Sequence, residues 1–191
     1  MVSETGLTVF MTTLLSADAL RVARTLAGLS QREVASQVAI TQKAVWIAEN
    51  TDQLAKPTNA KLRTYYETLG IEFLGTIDLR AGLTTGLGAR WRTPYRLPVE
   101  HSEATDYHTE RTGIAFVAAR ALLNRKQSEI ANDSGMAERK IGQLEAGLSA
   151  DQESSLRLRS FYERERIAFL GWGDVTSGLY YGVGVKWQGS N

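Results

Sequence analysis

Apolar positions recur at helical spacing early in the chain. Residues 17–27, ADALRVARTLA, place Ala19, Leu20, Ala23 and Leu26 on one face, and Ala115, Phe116, Ala119 and Leu122 repeat that spacing later. Both stretches are expected to be core-facing helices. A second helix is predicted from Ser30, where Ser-x-x-Glu ending at Glu33 can satisfy two orphan backbone donors reciprocally, and it runs to about Val38. Thr41 is a natural N-cap for a short third helix that carries Val45 and Ala48 inward as far as Glu49. A fourth helix is expected over 59–69, after Pro57 and Thr58, with Gly70 suited to a left-handed C-terminus. Its counterpart ends at Arg166 without that glycine.

Beyond the fourth helix the period changes from 3.6 to 2. Leu179, Tyr181, Val183, Val185 and Trp187 alternate with Tyr180, Gly182, Gly184, Lys186 and Gln188, the pattern of a half-buried strand. Ile77 and Leu79, then Leu83, Leu87, Ala89 and Trp91, keep one parity around Gly82. Each set of helices should therefore end in a hairpin. A lone hairpin is marginal in water, so the two are expected to pair with each other, with their own helices or with a second chain, burying Trp91 and Trp187.

The same elements occur twice because the sequence repeats itself. A shift of 96 residues aligns 17–92 with 113–188 without a gap, giving 22 identities in 76 pairs. LRTYYETLGIEFLG matches LRSFYERERIAFLG, and AGLTTGLGARW matches SGLYYGVGVKW. The fold class expected is α+β, mainly α: a first unit over 1–92, a linker over 93–107 and a second unit over 108–191.

Composition narrows the chemistry. The 191 residues are 43% hydrophobic and 23% charged, as in globular proteins. The absence of cysteine excludes a disulfide framework, a thiol nucleophile and Cys-ligated zinc, and fits a reducing, cytoplasmic setting. The apolar stretch at 7–15 follows Glu4 and runs into Asp18, so it reads as neither signal peptide nor membrane span. Net charge is only +1, divided as 11 basic and 8 acidic residues over 1–96 and 11 basic and 13 acidic over 97–191. Nucleic-acid binding would have to come from local charge. No set of nucleophile, base and orienter stands out, so no enzyme and no cofactor are expected. His101 and His108, near Glu100, Glu103 and Asp106, match no zinc spacing and read as solvated linker. The run at 82–88, GLTTGLG, lacks a following Lys-Ser/Thr and reads as hairpin punctuation rather than a phosphate loop. Glu49 and Glu145, identical in the two copies, read as structural.

Residues 29–50, LSQREVASQVAITQKAVWIAEN, resemble the lambda-repressor-like, or Xre-type, helix-turn-helix family through Gln31, Ala35, Ile40, Val45 and Glu49. Residues 125–147 resemble it again through Gln127, Ala131, Gly135, Met136, Ile141, Leu144, Glu145 and Gly147. The resemblance covers the helical part of each half, and the strand extension looks like that of some bacterial members. Ala39 stands where the family turn prefers Gly, Lys126 and Ala137 where it prefers capping residues, and Trp46 where it is usually small.

What the resemblance implies is base reading by the exposed front of each third helix. In the first copy Gln42 would bond adenine, Lys43 reach guanine or phosphate and Trp46 pack on a thymine methyl or sugar. Gln31 would bond a phosphate and brace Gln42, with Asn50 touching the backbone. In the second copy the set is Glu138, Arg139, Lys140 and Gln143, braced by Gln127, with Arg125 and Lys126 placed for phosphates. The expected function is a sequence-specific transcriptional regulator of double-stranded DNA, a repressor, with a homodimer through the hairpins as one arrangement. The alternative is a protein-interaction module, an anti-activator or partner-binding regulator. Because TQKAVW (41–46) and AERKIG (137–142) share no residue at matched positions, one chain on successive major grooves should prefer dissimilar half-sites.

Overall fold

The computed structural model describes residues 14–51, 56–78, 83–97, 99, 106–148 and 151–189. Leu79, Gly82, Glu100, His101, Glu103 and the apolar run before Leu14, on which some of the expectations fall, lie outside them. The first repeat is α1 (Ala17–Leu26), α2 (Gln31–Gln37), α3 (Gln42–Asn50), α4 (Lys56–Thr68), β1 (Ile71–Asp78) and β2 (Leu83–Trp91). The second is α5 (Phe116–Leu123), α6 (Gln127–Ser134), α7 (Glu138–Glu145), α8 (Gln152–Arg164), β3 (Ile167–Gly173) and β4 (Tyr180–Trp187). The protein is α+β, with one antiparallel sheet in the order β1-β2-β4-β3.

Local sequence chemistry explains most helix ends. Ser16 Oγ accepts from Ala19 N, Thr41 Oγ1 from Ala44 N and Asp151 Oδ1 from Ser154 N. The expected capping box forms, with Glu33 N donating to Ser30 Oγ and Ser30 N to Glu33 Oε2. That bond from the Ser30 backbone holds the Glu33 carboxyl below its ordinary value. In the second copy Lys126 and Ala137 supply no side-chain cap, although Glu129 Oε2 accepts from Lys126 N at 2.6 Å. Two boundaries differ from the sequence pattern. Helix α4 starts at Lys56, so Pro57 lies in its first turn, where no backbone N–H is needed. Helix α5 starts at Phe116 and leaves Ala115 as its N-cap.

Three left-handed positions occur at matched places in the repeats, with glycine in only one copy each time. They are Gly28 and Asn124 (φ 66° and 55°), Ala39 and Gly135 (51° and 64°), and Gly70 and Arg166 (87° and 64°). Ala39 ends α2, and its Cβ crowds the backbone in this region at a cost of about 1 kcal/mol. Ala39→Gly is expected to raise unfolding stability by a few tenths to about 1 kcal/mol, the gain trimmed by the freedom glycine adds to the unfolded chain. A lower urea midpoint for this variant would contradict the assignment.

The core is shared. Val34 and Ile130, Val45 and Ile141, Leu62 and Leu158, Tyr66 and Tyr162, and Ile71 and Ile167 are equivalent pairs, all buried within one continuous cluster. Burial of each such aliphatic side chain contributes about 1.5–3 kcal/mol.

The hairpins pair with each other. Strand β2 meets β4 through Gly88↔Lys186, Ala89↔Val185 and Arg90↔Gly184. With a repeat offset of 96, Ala89 and Val185 are equivalent residues, and the flanking pairs are each other's mirror. The seam is therefore locally two-fold. A Cβ on Gly88 would lie 2.2 Å from Val185 O, and one on Gly184 would lie 2.3 Å from Ala89 O. Only glycine permits that approach. Strand β4 is buried throughout 181–185 rather than on alternate residues as its pattern suggests, with Gly182 against Thr93 and Gly184 against Ala89 and Arg90.

Beside the strands α1 packs on α5. Arg21 Nε donates to Ala121 O at 2.9 Å and Nη2 to Leu122 O at 3.3 Å, satisfying carbonyls at the end of α5. Trp187 is half-buried, and its Nε1 donates to Asp18 Oδ2 at 2.9 Å. The matching positions of Asp18 and Arg21 are Ile114 and Val117, so this polar side of the seam has no counterpart. Trp91 is buried, and its Nε1 has no hydrogen-bond partner among the described residues. Its ring stacks on His108 with centroids 3.8 Å apart, while His108 Nε2 meets Glu110 Oε1 at 2.8 Å. His108 thus lays one ring face on the sheet while its side chain stays exposed.

Candidate nucleic-acid interface

Helices α2 and α3 are joined by the tight turn at 38–41 and pack through Val34, Ala35, Val45 and Ala48, all buried. Those inward residues leave Gln42, Lys43, Trp46 and Asn50 on the outer face of α3. All four are exposed, Trp46 by 52%. The amide of Asn50 donates to Trp46 O at 2.8 Å within the helix. Neither Lys43 nor Arg32 makes an ion pair among the described residues.

A buried polar anchor fixes this pair of helices. Glu49, its side chain 2% exposed, accepts from Arg24 Nε at 2.6 Å and Arg24 Nη2 at 2.9 Å, and from Gln31 Nε2 at 2.8 Å. The second copy reproduces the arrangement: Glu145 accepts from Arg120 Nε at 2.6 Å, Arg120 Nη2 at 2.9 Å and Gln127 Nε2 at 2.6 Å. Burial is the largest single influence on the Arg24 guanidinium and pulls it down, but hydrogen bonding to Glu49 together with the charges of Glu49 and Tyr66 holds the group above its ordinary value. Hydrogen bonding to Glu145 raises Arg120 likewise. The Tyr66 and Tyr162 hydroxyls are pushed up as well, first by burial and then by Glu49 and Glu145. The structural reading of both glutamates agrees with this geometry.

The anchor corrects one expectation. The amide nitrogens of Gln31 and Gln127 are directed to Glu49 and Glu145, so Gln31 does not brace Gln42 through them. A buried carboxylate outcompetes a neighbouring solvated amide as acceptor.

On the second face Glu138, Arg139 and Lys126 are exposed, while Arg125, Lys140, Gln127 and Gln143 are half-buried. Two of the expected phosphate or base contacts are engaged by acids. Arg125 pairs with Asp133 at 2.5 Å, and Lys140 Nζ donates to Asp151 Oδ2 at 3.2 Å. The Ser154 hydroxyl and amide, with Lys140, hold the Asp151 carboxyl down at about 2. Gly142, opposite Trp46 in the repeat, leaves space that Gln127 borders at 3.7 Å. The two faces are thus built alike but dressed differently.

Sequence reasoning missed Arg32. It is exposed in the first turn of α2 and lines an open polar cleft with Arg24, Ser30, Gln31 and Gln42. The signal was present, a basic residue next to Gln31 and off the apolar face; its counterpart is Ser128.

The chain matches no protein-family model, no curated protein and no solved structure. No helix among the described residues is long and apolar enough to cross a membrane.

Proposed function

We propose that the protein is a sequence-specific regulator of transcription, a repressor, that reads double-stranded DNA in the major groove with α3 and α7. The observation that carries this reading is the exposed row Gln42, Lys43 and Trp46 on the front of α3, held in place from behind by the buried Arg24–Glu49–Gln31 cluster. A reading side chain discriminates bases only if its helix is fixed relative to the groove, and a bidentate buried ion pair supplies that fixity. Gln42 offers adenine both a donor and an acceptor, and Lys43 offers a mobile cation to guanine or phosphate. Arg32, beside Gln42, adds a second phosphate contact. The resemblance of both segments to the Xre-type helix-turn-helix family agrees with this assignment.

The pairing of Arg125 with Asp133 and of Lys140 with Asp151 favours a second reading for the second repeat alone. In it, α6 and α7 hold a protein partner while the first repeat binds DNA.

In vitro selection from random duplexes followed by gel shift tests the proposal. Lys43→Ala is expected to weaken binding, either on all sequences, with a shallower salt dependence, or at one base pair. Gln42→Ala is expected to lose about 1–3 kcal/mol of discrimination at one position and to melt like the parent protein. Binding unaltered by both substitutions would contradict the role of α3.

A further inference from the structure

We infer that one chain forms a complete two-fold DNA reader, engaging a single duplex with two unlike half-sites in inverted orientation and needing no second copy. The inference rests on the DNA-binding reading above and extends it to the form of the site. In a two-fold interface between identical subunits, residue i of one meets residue j of the other, and j meets i. The β2–β4 seam satisfies that rule under the repeat offset: Gly88 meets Lys186 while Gly184, its equivalent, meets Arg90, and Ala89 meets its own equivalent Val185. The close approaches obey it too, with Gly88 against Val185 and Lys186, and Gly184 against Ala89 and Arg90. The helix-turn-helix part of each unit is built alike: α2, α3 and α4 start at the equivalents of α6, α7 and α8, and the Arg–Glu–Gln anchors are twins. Applied to the helices, the rotation that relates β2 to β4 at the seam pairs α3 with α7 in opposite senses. Two readers related in that way meet the two strands of a duplex in opposite senses, which gives inverted rather than direct half-sites.

The seam also disfavours replacing one unit by a copy of the other. Asp18 accepts from Trp187 Nε1, and Arg21 donates to carbonyls of α5, whereas Ile114 and Val117 offer neither group in return. The faces read different bases because Gln42, Lys43 and Trp46 in one are Glu138, Arg139 and Gly142 in the other. Glu138 is an acceptor where Gln42 is both donor and acceptor, so the second half-site favours a cytosine amine at the matched position.

The test uses the full chain and the duplex obtained by selection, with solution mass measured by light scattering for the free protein and the complex. The expected result is a 21.0 kDa species that adds one chain per duplex, on a site whose two halves differ and face each other. Turning one half around into a direct repeat should weaken binding about tenfold or more, the loss of one good base-contact set. Gln42→Ala should alter preference in one half-site only, and Arg139→Ala in the other only. Two chains on the site, equal binding to the direct repeat, or both substitutions acting on one half would overturn the inference while leaving DNA binding intact. Failure of selection to enrich any sequence with a monomeric protein would overturn the DNA-binding reading and this inference with it.

Discussion

Alanine at Gly184 is expected to open the seam between the repeats and to lower unfolding stability at or above the upper end of the ~1–3 kcal/mol usual for overpacking. The new Cβ would lie 2.3 Å from Ala89 O and 2.4 Å from Arg90 Cα. Both are backbone atoms of the facing strand, so no side chain can rotate away, and β2 and β4 must separate. Gly88→Ala should do the same from the other side, against Val185 O and Lys186 Cα. Gly189→Ala is the control, since nothing lies within 4 Å of a Cβ there. Urea denaturation reads the difference. A Gly184→Ala midpoint equal to that of Gly189→Ala would mean that the two hairpins do not meet as described.

The second large effect is expected at Glu49. Glu49→Ala removes the acceptor of three hydrogen bonds, from Arg24 Nε, Arg24 Nη2 and Gln31 Nε2, and leaves a half-buried guanidinium without its counter-charge. Breaking a buried ion pair from one side costs about 3–5 kcal/mol, most of it the penalty on the charge left behind. Glu49→Gln keeps the shape and one acceptor oxygen and should lose less. Glu145→Ala is the matched experiment in the second repeat, where Arg120 and Gln127 would be stranded. Equilibrium unfolding followed by near-ultraviolet circular dichroism measures both. A Glu49→Ala protein as stable as the parent would show that the cluster adds no net stability and that α3 is held by apolar packing alone.

Features set by neighbours in sequence were legible from the chain. The capping box at Ser30 and Glu33, the strained Ala39 and the uncapped Lys126 and Ala137 each depend on a few consecutive residues. The alternation at 179–188 revealed an apolar face but not what covers it, because period-2 patterning is the same whichever strand lies opposite. Gly88 read as hairpin punctuation and Gly184 as the polar side of a half-buried strand. Their role depends on a strand 96 residues away. Gln31 was assigned to Gln42 by the family resemblance, whereas the stronger acceptor, Glu49, arrives from the end of α3. His108 stacking on Trp91 and Asp18 receiving Trp187 join residues that no local pattern links. The exposed front of α3 was legible because exposure there follows from Val45 and Ala48 pointing inward.

The Ala89–Val185 seam removes a dependence that paired subunits ordinarily carry. Between separate subunits such a seam obeys mass action, and dilution dissolves it. Tethered in one polypeptide, each strand experiences its partner at an effective concentration fixed by the chain itself, however few molecules are present. The paired state of the two faces is consequently set by folding and not by abundance, and a cell holding a handful of copies has the same fraction assembled as one holding thousands.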